Sequence, residues 1–150
     1  MKAKSSRRTI RRVERFALFD TKADSGISIW GETRSALFRH AVMGLNHLMF
    51  GPSRRLAYTV LQSQPCKIAG HDPESLLVNL LSEIVFLQEE RDIEVTDLSE
   101  IRLERGLLTG ALFFIAPGRR CLRVVKSITY HQLKVQKTPR GWHARLVVDL

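Results

Sequence analysis

The sequence predicts an α+β domain of two layers, a mostly antiparallel sheet with two helices packed on one face. Two segments carry apolar residues at helical spacing on one side only. Several shorter segments alternate apolar and polar residues, or run apolar between turn residues. At 150 residues the chain has the length of one domain, enough to bury roughly two thirds of its unfolded surface.

Beyond Met1, residues 1–12 hold a single large apolar side chain, Ile10, and are expected to be a mobile basic tail, leaving 13–150 as the domain. A first strand is expected from Val13 to about Phe19. The loop DTKADSG follows, with Gly26 as a turn residue. In GISIWG, Ile27 and Ile29 share one face and Ser28 and Trp30 the other. Thr33 caps a helix whose stripe runs through Leu37, Ala41, Gly44, Leu45, Leu48 and Met49 to a stop at Gly51-Pro52. Leu56–Ala69 reads as an edge strand or two short pieces, because Pro65 interrupts it.

HDPESLLVNLLSEIVFLQEE is the clearest helix. Asp72 caps it, Pro73 suits its first position and Glu74 favours the positive end of its dipole. Leu76, Leu77, Leu80, Leu81, Ile84 and Val85 form the packed side; Ser75, Asn79, Ser82 and Glu83 point away. Strands are then expected over about 100–104, 107–115, 122–130, 133–137 and 142–148, the last two joined by a tight turn at Pro139-Arg140-Gly141.

Composition excludes more than it assigns. A hydrophobic fraction of 44% with 26% charged residues is ordinary for a globular protein. No run of eighteen apolar residues occurs, so no membrane span is expected, and no apolar signal stretch follows the basic start. Cys66 and Cys121 have no metal-ligand spacing and are expected reduced and buried, which suits a cytoplasmic protein. Nucleotide-binding glycine loops and HExxH are absent; His40 and His47 read as boundary residues of one helix. No nucleophile has a base beside it, so an enzyme is not expected.

Charge is unevenly spread. Residues 1–15 carry a net +6, residues 16–118 a net −4 and residues 119–150 a net +7. That asymmetry suits nucleic acid or an acidic protein surface, and equally a solvated tail with scattered surface lysines. Two acids are left without a local explanation. Asp24 precedes a strand, where it could cap a turn. Asp149 ends another, one residue before the carboxylate of Leu150, where two anions repel unless a cation lies beside them. A frayed end and a shared metal site are both consistent with these residues alone.

Three blocks resemble the archease family. KSITYHQLKVQKTPRGWHARLVVDL is similar to its closing segment, with a lysine strand, a Thr-Tyr-His turn, a Gly-Trp hairpin and a final Asp-Leu. DPESLLVNLLSEIVFL is similar to its paired-leucine helix, and FDTKADSGISIWGETRSALFRHAVMGL to its opening loop, strand and helix. The resemblance implies a non-catalytic accessory protein of an RtcB-type RNA ligase, acting in tRNA splicing or RNA repair. Its role would be to promote guanylylation of the ligase and its multiple turnover. It also implies a divalent-metal site at Asp24, Asp149 and Leu150, the last through its terminal carboxylate or backbone oxygen. Three oxygen donors suit calcium first, then magnesium or manganese, rather than zinc.

Two departures stand out. Thr21 and Lys22 replace the family's usual His and Thr, which puts a cation beside the metal aspartate, and residues 90–120 match poorly. Two other functions compete. A free-standing RNA-binding module would use the basic tail and the Lys and Arg residues from Arg119 to Arg145 on phosphates. A metal-dependent hydrolase on Asp24 and Asp149 would lack a base and a nucleophile.

Overall fold

The computed structural model describes residues 15–52 and 61–150; the expected tail and residues 53–60 lie outside the described residues. In chain order the elements are β1 (Phe16–Asp20), β2 (Ser25–Gly31), α1 (Arg34–Phe50), β3 (Gln62–Ala69), α2 (Pro73–Arg91), β4 (Glu94–Glu104), β5 (Leu107–Ile115), β6 (Ser127–Ile128), β7 (Gln136–Thr138) and β8 (Gly141–Asp149). The α+β class is as expected. The strands divide into two antiparallel sheets, β1-β2-β8-β6 with β7 also beside β8, and β3-β5-β4. The helices join them: α1 packs on β2 and on β4, while α2 packs on β3, β4 and β6.

Alternation sets the first sheet. Ile27 and Ile29 of β2 and Ala144 and Leu146 of β8 are fully buried, and they pair across the ladder as Ile27 with Leu146 and Ile29 with Ala144. α1 lies on that face and has a wide buried side, from Leu37 to Phe50. Its start is held by Thr33, whose hydroxyl accepts from the Ala36 N–H at 3.0 Å. It stops at Gly51, whose φ of 87° suits a residue without a Cβ.

α2 begins at Asp72 as expected, but Ser75 does not point away. It is 2% exposed, because its hydroxyl accepts from the Asp72 N–H while Asp72 accepts from its own N–H, a reciprocal cap held against the fold. The strands differ from expectation in four places, one being the expected strand 133–137, which starts only at Gln136 and ends at Thr138. β3 is an edge strand, in keeping with Pro65, but its described part starts only at Gln62. β4 begins at Glu94, six residues before the expected strand, where an acidic residue at a buried position hides the pattern. The expected strand 122–130 is reduced to Ser127–Ile128, since the N–H groups of Leu122 and Arg123 donate to the Met49 carbonyl at the end of α1 rather than to a strand.

Glu94 explains both of the last two differences. It is fully buried, and its carboxylate accepts from Asn46 on α1 at 2.8 Å and from the Arg119 guanidinium at 2.8–3.1 Å. The Arg119 backbone N–H donates to it as well. Burial alone would push this carboxyl up; the bonds from Arg119 and Asn46 outweigh burial and hold it below its ordinary value of 4.5. Arg119 also donates to the carbonyls of Gly51 and Pro52, so one ion pair fixes the end of α1, the start of β4 and the segment after β5.

Glu94→Ala should therefore cost about 3 kcal/mol in chemical denaturation, because it leaves Arg119 without its buried partner. A carboxylate held below its ordinary range stabilises the fold above that range, and this contribution is lost as pH falls through the lowered value. Glu94→Gln should accordingly show a shallower loss of stability below about pH 4.5 than the wild type.

Candidate functional site

The two unexplained acids come to one end of the same strand pair. β2 and β8 run antiparallel, with Gly26 opposite Val147 and Ser25 opposite Val148. The ladder ends there, so Asp24, the residue before Ser25, and Asp149, the residue after Val148, lie at the same end of the strand pair. Asp24 is half-buried, while Asp149 and Leu150 are exposed just past Val147 and Val148, which are buried.

The turn between β1 and β2 aims Asp24. The Thr21 hydroxyl accepts from the Asp24 N–H at 2.9 Å, and the Thr21 N–H donates to the Asp24 carbonyl at 2.8 Å. Those bonds occupy the Asp24 main chain and leave its carboxylate free of any recorded partner among the described residues. The threonine that departs from the family pattern thus has a local task, closing the four-residue turn. Lys22, at the tip of the turn, is exposed.

The other side of the site is main chain. The Lys126 N–H donates to the Asp149 carbonyl at 2.7 Å, and Thr129 donates to the Val147 carbonyl through both its N–H and its hydroxyl. The chain end is therefore fixed on both flanks as far as Asp149 and is not frayed. A third carboxylate, Asp20, sits opposite Ser25 at this end and was not singled out from sequence. Ser25 donates to it and Arg123 lies 3.7 Å away, so its charge is already answered.

Gly26 is not a turn residue. It lies inside β2, buried, where an added Cβ would sit 1.9 Å from the Leu146 carbonyl oxygen and 2.7 Å from the Phe19 ring. Its lack of a side chain lets β2 lie close against β8 two residues from Asp24.

Among the described residues no three His, Cys, Asp or Glu side chains gather at metal-binding spacing. A third protein donor beside Asp24 and Asp149 has to come from the main chain or the chain end. Two of the cations considered for phosphate binding are engaged: Arg119 by Glu94 and Arg123 by Asp20.

Comparison with known proteins decides the family. The model of the Archease protein family matches residues 16–150. This chain belongs to the archease family. The archease of Methanosarcina mazei is 29% identical over 146 residues, spanning 91% of this chain and 97% of its own length. The archease of Pyrococcus abyssi is 27% identical, spanning 92% and 100%. Among solved structures, Methanobacterium thermoautotrophicum protein 1598 is similar with a TM-score of 0.69 at 21% identity, covering 90% of this chain and 98% of its own. The crystal structure of an archease, possible chaperone, from Thermotoga maritima gives a TM-score of 0.59 at 16% identity, covering 93% and 100%. The archease fold thus extends over both sheets and both helices.

Gly26→Ala should lower stability by about 2 kcal/mol or more in urea denaturation, because the added methyl collides with backbone rather than with a movable side chain. Stability equal to wild type would show that β2 and β8 can separate at this point.

Proposed function

We propose that this protein is a non-catalytic activator of an RtcB-type RNA ligase, promoting guanylylation of the ligase and its multiple turnover, and that it carries a divalent cation at Asp24, Asp149 and Leu150. Family membership supports the first part. The second is supported by one observation, the β2–β8 register, which ends with Ser25 opposite Val148 and so brings the turn that holds Asp24 to the end of β8 that carries Asp149 and Leu150.

The residues fit a hard ion. Both side chains are carboxylates, the added donor from Leu150 is also oxygen, and no thiol or imidazole belongs to the set. When bound, the ion would supply positive charge between anions that otherwise repel, with water completing its shell. The protein's own part is positional. Thr21 fixes the main chain of Asp24, Lys126 and Thr129 fix the last turn of β8, and Gly26 sets the spacing between the strands.

Asp24→Ala should abolish calcium or manganese binding in calorimetric titration while the melting temperature stays close to wild type, since this turn carboxylate is not part of the buried core. Binding equal to wild type would remove Asp24 from the site. A C-terminal tag should weaken both ion binding and stimulation of guanylylation in an assay with the cognate ligase, and an N-terminal tag should not. Full stimulation by the C-terminally tagged protein would mean that the Leu150 carboxylate is not a functional ligand. No stimulation by the untagged protein would overturn the activator reading itself.

A further inference from the structure

The C-terminal ends of α1 and α2 are crossed by a strap rather than by a further helix or sheet. Residues 116–126 run over them with almost no regular structure, held where the N–H groups of Leu122 and Arg123 donate to the Met49 carbonyl at 2.7 and 3.1 Å. The strap leaves apolar side chains outside. Leu122 is 66% and Val124 62% exposed, the two most exposed large apolar residues described.

Under the strap opens a cleft of about 320 Å³. Its floor is apolar, built from Met49, Phe50, Val85, Ile93 and Val125, with Val124 at the lip. The polar groups inside are already occupied. Gln88 accepts from the Val95 N–H and donates to the Met49 sulfur, and the Cys121 thiol donates to the Arg123 carbonyl at 3.2 Å. The interior therefore offers apolar contact and little else. The rim is acidic. Glu89 and Asp92 stand in the lining with Glu90 beside them, and no ion pair or hydrogen bond engages these three carboxylates among the described residues. They lie where the dipole of α2 is already negative. The cation in the last turn of α2, Arg91, is turned aside to Gln64 on β3 at 3.0 Å, and Arg119 is turned inward to Glu94. Arg120 alone remains in the lining, one cation against three carboxylates.

We propose that this cleft docks a basic amphipathic segment of a partner protein, with an apolar side chain entering beside Val124 and Lys or Arg side chains meeting Glu89, Glu90 and Asp92. Charge complementarity selects this occupant. An acidic segment would be repelled by the rim, and a wholly apolar one would cover carboxylates without answering their charge. A cationic segment without apolar side chains would leave Leu122 and Val124 in water. The chain as a whole carries +9, so a basic partner has reason to meet it only where acids gather. The inference goes beyond the ligase reading: it concerns a peptide contact at the helix ends and holds whether or not a ligase is the partner.

The probe is a labelled peptide of about twelve residues built from Leu and Lys, with the leucines on one helical face. It should bind at low salt in fluorescence anisotropy and more weakly as salt rises. Val124→Lys, a change at an exposed side chain, should weaken binding roughly tenfold or more. Glu89→Gln combined with Asp92→Asn should weaken it and flatten its salt dependence; asparagine suits the φ of 49° at position 92. Two control peptides, one with Ser for Leu and one with Glu for Lys, should each bind at least about tenfold more weakly. Bound peptide should also slow alkylation of Cys121, which lines the cleft, as read by mass spectrometry. Absent binding, unchanged affinity in a folded Val124→Lys protein, equal binding of either control peptide, or unaltered alkylation of Cys121 would each overturn the proposal. Self-association of the protein alone, lost in Val124→Lys, would make the occupant a second copy and overturn it as well.

Discussion

The pairing of β2 with β8 is the constraint on which the rest of the domain depends. It joins residues 25–31 to residues 142–148, closing a loop of more than a hundred residues whose ordering must be offset by what the ladder buries. The offset lies on one face, where Ile27, Ile29, Ala144 and Leu146 form a dry floor for α1. Trp30 points away from the helix, and Asp24, in the turn just before β2, is separated from it by roughly 20 Å along the strand. One ladder thereby presents carboxylates at one end and an aromatic pair, Trp30 with His143, at the other.

The Glu94 ion pair does for the second half of the chain what the ladder does for the first. Residues 116–126 form almost no regular structure, yet they are held at successive points. Arg119 reaches Glu94, Leu122 and Arg123 donate to the end of α1, and Lys126 donates to Asp149. The chain between the two sheets is thus tied to a buried charge at one end and to the carboxylate site at the other. A buried ion pair adds little net stability over a well-packed apolar substitute, but removing one partner is costly, and here either loss would release three elements at once.

Where structure follows from local chemistry, the sequence was sufficient. The caps at Thr33 and Asp72, the breaker at Gly51, the proline-bearing edge strand and the last hairpin all lie where residue types dictate. What stayed hidden depends on contacts distant in the chain. Nothing local marks Glu94 as a buried strand residue, since its partners are Asn46 and Arg119. Gly26 looks like a turn residue until β8 is laid against it, and Ser75 looks like a surface serine until its cap is drawn. The carboxylate end was legible as two acids without local explanation, and only the strand register says that they come to the same end of one strand pair. The Trp30–His143 pair could have been found by laying GISIWG against GWHARLVVD, which needs the same register. Two sheets instead of one could not be read, because alternation gives a strand its faces and not its neighbours.

The two cysteines carry a consequence for handling the molecule. Cys66 is 7% exposed and its thiol is pushed up to about 11, chiefly by burial, while Cys121 is half-buried and shifted the same way by the same cause. At neutral pH only about one Cys66 side chain in ten thousand is a thiolate, the form that attacks electrophiles. Maleimides and mild oxidants should therefore pass Cys66 by. A single cysteine introduced on an exposed strand or turn would react far ahead of it, so a spectroscopic probe can be attached at a chosen position while native Cys66 stays in place in the core.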